Sequence, residues 1–598
     1  QRARRTRRPA RSGGVGLGSI DSGEASARPT TTSSSTSAEP PADSDESVTN
    51  TQVAGVDEGG IVKAWRDYLV VLRRGRLFTV RLGASPGQAT PVSFVDVRPP
   101  RASHDAWYDE MLVHAPSGTI VVVGFSYDHE ATEIGLFRIA DDGSLSHRQT
   151  HLLRSNDYYS SRNYASRLVG DTLVFYMPHY LVHAYDGPVR VSMPALRTFS
   201  GGAWRNLVRT ADVYRIAGDD VAATLHTVVT CDLAAPRLTC AARGIVGGEG
   251  RTFFVSRDAI YVWVSPSYDE WEDYFVDYDA IDDEEEPEDP SPPHLFRLPL
   301  DGSRPAVLEA RGAPVDQFSF HETATDLWVL VRAEGGGDAM WAPEVEAGDI
   351  GLLRVPLDAF GRDVHALTAG AYRTLATPTA PGAFQNRFVG DYVLYGNGTS
   401  WGRGAAAQDD RVFMHRYGDG RSFVADLPNG VDRIEPMGTD AVVVGTDGAS
   451  LHFRAFGLDR APAAAGHYVR AGVTQGETRS HGFFYRPTGD GEGMLGLPTR
   501  GAEQPGAAQL VHGSAEVLFL SVRQLDFTEL GALASSSAPV EDRCEVSCID
   551  WYGNARPLFY RDRIFALLGY ELVEGRLAPA LVELARTDLA SLLAPPAP

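Results

Sequence analysis

The sequence predicts an all-β fold, a β-propeller of about seven or eight four-stranded antiparallel blades behind a disordered N-terminal tail. Three observations predict it. First, seven times a turn ending in Asp launches a short apolar strand: Arg66-Asp67 before YLVVL, Gly170-Asp171 before TLVFY, Arg257-Asp258 before AIYVWV, Thr325-Asp326 before LWVLV, Gly390-Asp391 before YVLY, Thr439-Asp440 before AVVV and Arg561-Asp562 before RIFALL. The Asp carboxylate can bond nearby backbone N–H groups in a tight turn, so each instance reads as a hairpin. Second, runs such as TIVVVGFSY, EIGLFRIA, HLFRLPL, GLLRVPL and VLFLSV alternate apolar and polar residues between Gly, Pro, Asp and Asn, as half-buried strands require. Third, no long segment carries a 3.6-residue period. Somewhat over thirty candidate strands, at four per blade, give about seven or eight blades.

Taken in order, residues 1–47 read as a basic arm followed by a tether. QRARRTRRPAR carries six arginines and no acid, and Ser12 to Ser47 is rich in Ser, Thr, Pro, Gly and Ala. Such composition cannot bury enough apolar surface to offset the entropy of ordering. The arm reads as disordered, with contact to anionic lipid or polymer as the functional alternative. Residues 48–593 form the propeller. The interval from Asp67 to Asp171 hides a further blade around SGTIVVVGF, and that from Asp440 to Asp562 another near FFYRPTG or AEVLFL. LVELARTDLASLL, ending at Leu593, reads as a short terminal helix. Residues 594–598 are a disordered tail.

The largest insertion spans 267–293 and places thirteen acids between Asp269 and Asp289 with no base. Clustered carboxylates suit a hard cation, so Asp277, Asp279, Asp282 and Asp283 are candidate Ca²⁺ ligands. Tyr268, Trp271, Tyr274, Phe275 and Tyr278 interleave with them and suit a cationic partner instead. A solvated acidic flap is the third reading.

Four cysteines form two local pairs. Cys231 ends TLHTVVTC and Cys240 sits in RLTC beyond a Pro-containing turn, so a bridge across a hairpin is expected. Cys544 and Cys548 form the other pair, with a zinc site as the rival reading, although a second ligand pair at nearby spacing is missing. Disulfides place a protein outside the cytoplasm. The net charge of −23, from 78 acidic and 55 basic residues, argues against a nucleic-acid partner, because phosphate binding needs a cationic surface. No stretch approaches the ~18 apolar residues of a membrane-spanning helix.

Catalytic templates fail on chemistry. Gly398-Thr-Ser400-Trp-Gly402 matches a nucleophile elbow but leads into another strand rather than a helix. In Gly83-Ala-Ser85-Pro-Gly87 the following Pro86 has no N–H to donate. Gly491-x-Gly493-x-x-Gly496 lacks the helix a dinucleotide fingerprint needs. Lys63, the sole lysine, follows Val62 rather than Gly, which excludes a phosphate-binding loop of the Walker type. The sixteen histidines contain no H-E-x-x-H.

TNTQVAGVDEGGIVK, from Thr49 to Lys63, resembles the opening motif of a family of secreted bacterial and archaeal β-propeller proteins, approximately T-N-x-Q-V-x-G-V-D-E-A-D-I-V-K. VDQFSFHETATDLWVLVRAEGG, NRFVGDYVLY, VVVGTDGASLHFRAFGLD, RSHGFFYRPTGDGEGMLGLP and RPLFYRDRIFALL look like later family segments, in order. The resemblance covers roughly Val48 to Arg586 and implies a propeller in an extracytoplasmic setting, with no established activity. By position, Asp57, Glu58 and Lys63 match the motif, and His481 matches a family histidine before an aromatic strand. This makes Asp57, Glu58 and His481 the candidate binding residues. Gly59-Gly60 stands where the family has Ala-Asp, so a carboxylate is lost from any cation site there. The alternative is that Asp57 and Glu58 cap a blade-closing strand through backbone hydrogen bonds.

The expected function is a non-catalytic binding or scaffold protein of the cell envelope, a monomer that holds an envelope protein or polysaccharide with its loops and central channel. A hydrolase or lyase acting on a polysaccharide or ester through the channel is the second reading. A Ca²⁺-stabilised surface protein is the third.

Overall fold

A computed structural model describes residues 48–593 except 49, 101, 103, 161, 184–189, 217–223, 266–291, 335–347, 362–364, 380–381, 399–409, 502–515 and 537–539. The four Asp residues proposed for Ca²⁺, and most of the acidic insertion, lie outside the described residues.

Nine blades follow one another along the chain beside a small two-stranded sheet, and their pairings are antiparallel except where Val213–Arg215 runs parallel to Thr239–Gly247 of blade 3. The expectation of seven or eight blades is corrected to nine. All seven Asp turns join the first and second strands of a blade: blades 1, 3, 4, 5, 6, 7 and 9. The two long intervals each hold a whole blade, blade 2 from Ala106 and blade 8 through Gly501 and beyond. Dividing a strand count by four fell short because the outermost strands are polar and exposed. Ser422–Asp426, for example, alternates exposed and half-buried residues and carries no apolar run. The turn itself is tight: Gly170 and Gly390 precede Asp with φ of 57° and 53°, and Arg66 and Arg561 adopt 52° and 47°, the left-handed region that suits glycine.

Inner strands are buried on both faces, as in Tyr68–Arg73 and Ala259–Ser265. Their apolar side chains form cores between successive blades. Phe254, Trp263 and Leu327 lie between blades 4 and 5, Tyr392, Leu394 and Val443 between 6 and 7, and Phe453, Leu495 and Leu518 between 7 and 8. The last blade closes on the first: Arg563 Nη1 donates to Gly83 O at 3.0 Å, Gly87 N to Glu574 Oε2 at 2.9 Å, and Tyr560 OH to Arg66 O. The predicted terminal helix is absent. Leu581–Asp588 is the outer strand of blade 9, and one 3-10 stretch, Leu589–Leu593, follows it. The strand wins because Glu571–Leu577 presents an unpaired edge that Leu581–Asp588 satisfies, and packing overrides local propensity.

Both local disulfides are present. Cys231 and Cys240 sit directly opposite each other in blade 3, with Cα atoms 4.1 Å apart. Cys544–Cys548 ties the segment entering blade 9, Cα atoms 5.8 Å apart. Replacing Cys231 and Cys240 by Ser is expected to lower stability by about 2–3 kcal/mol, the entropy of so short a loop. Urea unfolding of the double variant checks it.

Candidate functional site at the hub

The segment of the opening motif does not close a blade. It crosses the centre of the ring. Val56–Glu58 lies as an extra strand inside blade 3, pairing with Ser166–Val169 so that Glu58 stands opposite Arg167. Gly60 then exchanges backbone hydrogen bonds with Met111 of blade 2, at 3.1 and 3.0 Å, before the chain enters blade 1 at Val62. Ahead of Val56, Gln52 Nε2 donates to Gln317 O and Phe320 O of blade 5 at 2.9 and 3.2 Å. Asn50 reaches Glu435 of blade 7 at 3.3 Å, and Arg257 Nε donates to Ala54 O at 2.6 Å. A second linker, between blades 2 and 3, also enters the hub. Arg162 Nη1 pairs with Asp316 Oδ2 at 3.0 Å and donates to Phe384 O at 2.8 Å, and Asn163 Oδ1 accepts from Gln317 N at 3.1 Å.

The three candidate residues fall within this plug. His481 Nε2 lies 3.2 Å from Glu58 Oε2, both side chains 3% exposed. Glu58 also accepts from Gln52 N at 3.2 Å and from Gln317 Nε2 at 3.3 Å. Burial alone would raise the Glu58 pKa. The Arg167 charge, the His481 hydrogen bond and charge, and the Gln52 N–H outweigh it and hold the group at about 2. Burial lowers His481 to about 4 in spite of Glu58, so at neutral pH the pair is a neutral imidazole donating to a carboxylate rather than an ion pair. The His481 ring stacks on Tyr164, centroids 4.3 Å apart and planes at 13°. Asp57 sits at the rim, its side chain 35% exposed, and accepts from Lys63 Nζ at 2.6 Å and from Glu58 N at 3.0 Å. Lys63 Nζ also donates to Glu58 O at 2.5 Å.

Gly59 has a steric reason. A Cβ there would lie 2.5 Å from both Glu110 Oε2 and Ser166 Oγ. Glu110 of blade 2 accepts from Ala165 N, Ser166 N and Ser166 Oγ at 2.9, 3.0 and 2.5 Å. The motif's lost carboxylate is that of the next position, Gly60, where a Cβ would lie 3.2 Å from His481 Nδ1.

Sequence reasoning missed the rest of the hub. First strands, or the turns leading into them, carry Arg167, Arg387, Arg433, Arg479 and Arg556, all buried. Arg433 Nη1 pairs with Glu435 Oε1 at 2.8 Å, Arg387 with Glu435 at 3.4 Å, and Arg556 with Glu477 at 2.8 Å. Arg479 packs over the Tyr552 ring, 3.8 Å from its centroid. A signal was available: a cation four residues before the turn Asp recurs as K-A-W-R-D, R-L-V-G-D and R-F-V-G-D. Arg387, Arg433 and Arg556 are matched by carboxylates within the hub, and a cavity of about 10 Å³ beside Tyr158, Asn163, Tyr176 and Arg251 holds no more than about one water. Among the described residues, no three His, Cys, Asp or Glu side chains converge as a metal site.

Residues 46–345, half of the chain, match a family profile described as a beta propeller domain. The chain belongs to the β-propeller domain family. Its profile ends between the second and third strands of blade 5, yet blades 6, 7 and 9 repeat the same four-stranded plan and blade 8 adds a fifth strand to it. Solved structures it resembles include a eukaryotic initiation factor (9% identity, 79% of this chain and 96% of that one, TM-score 0.32). Apo AztD from Citrobacter koseri (8%, 78% and 94%, 0.28) and an apocarotenoid oxygenase of Synechocystis (9%, 80% and 72%, 0.29) are others. Likenesses this distant carry no functional argument. No curated protein matches the propeller sequence.

Proposed function

We propose that this propeller is a non-catalytic binding or scaffold protein working outside the cytoplasm, in the cell envelope, with its ligand held on the outer loops and edges rather than in the channel. The observation that carries the reading is the plugged hub. A histidine and a carboxylate do meet there, but the chain's own residues surround them on every side the hydrogen bonds define, and each side chain is 3% exposed. A general acid or base must come within ~3 Å of a substrate atom, and Glu58 spends its oxygens on Gln52, Gln317 and His481. Two disulfides with no free cysteine suit an oxidising compartment. No helix among the described residues is long and apolar enough to cross a membrane.

The test sets this reading against channel catalysis. The full chain is assayed for turnover on a panel of neutral and acidic polysaccharides and aryl esters, beside Glu58→Gln and His481→Gln. No turnover by the native protein is expected. Turnover that either substitution abolishes, in protein that remains folded, overturns the proposal in favour of a hydrolase or lyase.

A further inference from the structure

Blade 2 carries two strands outside its four, where blade 1 has none and blade 3 has one, Val213–Arg215. In blade 2 the outer strand of the four, Leu145–Arg154, pairs with Ala195–Thr198, which pairs in turn with Gly201–Asn206. The six-stranded sheet ends at Gly201–Asn206, which has no further partner among the described residues. Two strands beyond a four-stranded blade carry this edge about 10 Å outward. Gly201, Gly202, Ala203, Arg205 and Asn206 are exposed, and nothing lies within 4 Å of where a Cβ on Gly201 or Gly202 would stand.

The charge of this extension runs against that of the protein. From Ser144 to Ser155 and from Ser192 to Ala211 there is no acidic residue, in a chain with 78 of them. Arg154 and Arg197 flank Trp204, their guanidinium carbons 4.6 and 4.5 Å from its ring centroid. Arg205 stands opposite Leu196, not Arg197, so it projects to the other face of the sheet. On that face His151, opposite Thr198, is buried with Nε2 unbonded. Arg154 Nη1 donates to Met193 O at 3.4 Å, but none of Arg148, Arg154, Arg197 and Arg205 pairs with a carboxylate among the described residues, whereas on other outer strands Arg470 pairs with Glu516 and Glu529 and Arg586 with Glu571 and Glu583.

We propose that Gly201–Asn206 is a docking edge for an acidic, extended peptide segment of a partner protein, which adds to blade 2 as a seventh strand. Unpaired N–H and C=O groups along an edge are a template for a further strand. Side chains of an added strand alternate between faces, so its acids meet Arg205 on one face and Arg154 and Arg197 on the other. A polyanionic glycan would satisfy the arginines but leave the backbone ladder unused, and two guanidinium groups already pack against the Trp204 ring, where a sugar would otherwise stack. The inference is independent of what the hub does.

The probes are a fluorescent ten-residue peptide in which adjacent Glu pairs alternate with Thr-Val pairs, so that acids fall on both faces, the same peptide N-methylated at successive residues so that neither edge keeps its donors, and a heparin-derived oligosaccharide of equal charge. Titrated against the full chain at 0.15 M salt, where surface charges more than ~8 Å apart are screened, the first peptide is expected to bind. Its affinity falls at least tenfold on Arg205→Glu, an exposed change that leaves the fold intact, and likewise on Arg197→Glu. The N-methylated peptide does not bind. Equal binding by the N-methylated peptide, tighter binding by the oligosaccharide, or no binding of the first peptide overturns the proposal.

Discussion

Glu58→Ala is expected to lower the unfolding free energy by about 3–5 kcal/mol, the cost of leaving a buried partner charge uncompensated. Arg167 is 2% exposed and lies opposite Glu58 in the sheet. Its Nη1 donates to Tyr164 O and Ser166 O at 2.6 and 2.9 Å, and its Nη2 to Gln317 Oε1. Those acceptors are neutral, so removing Glu58 strips the charge that balances it. The same change leaves the Gln52 N–H and the His481 Nε2–H without their acceptor, each a buried donor costing about 1–3 kcal/mol when unsatisfied. Because Gln52 in turn anchors the plug to blade 5, blades on opposite sides of the ring lose a shared tie. Glu58→Gln keeps the volume and one acceptor oxygen, and about half the loss is expected. Urea midpoints of the two variants measure the order. Equal stability of Glu58→Ala and the native chain would show that the plug is not a structural keystone.

The architecture was legible because each blade advertises its first hairpin. An Asp turn must separate two strands that are both buried, so the signal survives variation in the loops, and the two blades that lack an Asp turn were still visible as apolar runs around Ile120 and Val517. The outer strands were not legible, since Ser422–Asp426 and Leu581–Asp588 face water and read like loop or helix. At the hub, Asp57, Glu58 and His481 stood out by resemblance alone. No pattern along the chain says that Glu58 meets a histidine 423 residues away, because the ring converts distant first strands into neighbours. Nothing in the composition of the linker Ser155 to Ala165 marks it as part of the hub, where Arg162 reaches blades 5 and 6. Blade 2's added hairpin escaped for a related reason: Gly201 and Gly202, with φ of 123° and 105°, interrupt the apolar pattern that marks a strand.

Acidification is expected to destabilise the propeller in two steps, the first between pH 6.5 and 4. His226 is buried; Gly248 O accepts from its Nε2–H at 2.7 Å and Tyr176 OH lies 2.7 Å from Nδ1. A carbonyl can only accept, so the proton sits on Nε2 and the tyrosine hydroxyl donates to Nδ1. Burial lowers the His226 pKa from 6.5 to about 4, with the Gly248 hydrogen bond opposing and Arg251 assisting. His481 falls to about 4 as well. Above pH 6.5 both rings are neutral in the folded and unfolded chains alike, and their stability is complete. Between 6.5 and 4 the unfolded chain takes up the protons and the folded one does not, so each ring withdraws up to about 3 kcal/mol, at 1.36 kcal/mol per pH unit. The second step comes from Glu58, whose folded value of about 2 lies below its ordinary 4.5; its contribution is present above 4.5 and drains away as pH falls toward 2. Urea unfolding of the native chain from pH 8 to 4, beside His226→Gln, separates the parts. The variant is less stable at pH 8, where the amide cannot reproduce both ring hydrogen bonds, yet its stability falls with acid by one proton less. A slope between pH 6.5 and 4 unchanged by the substitution would mean that His226 takes its proton in the folded chain as readily as in the unfolded one.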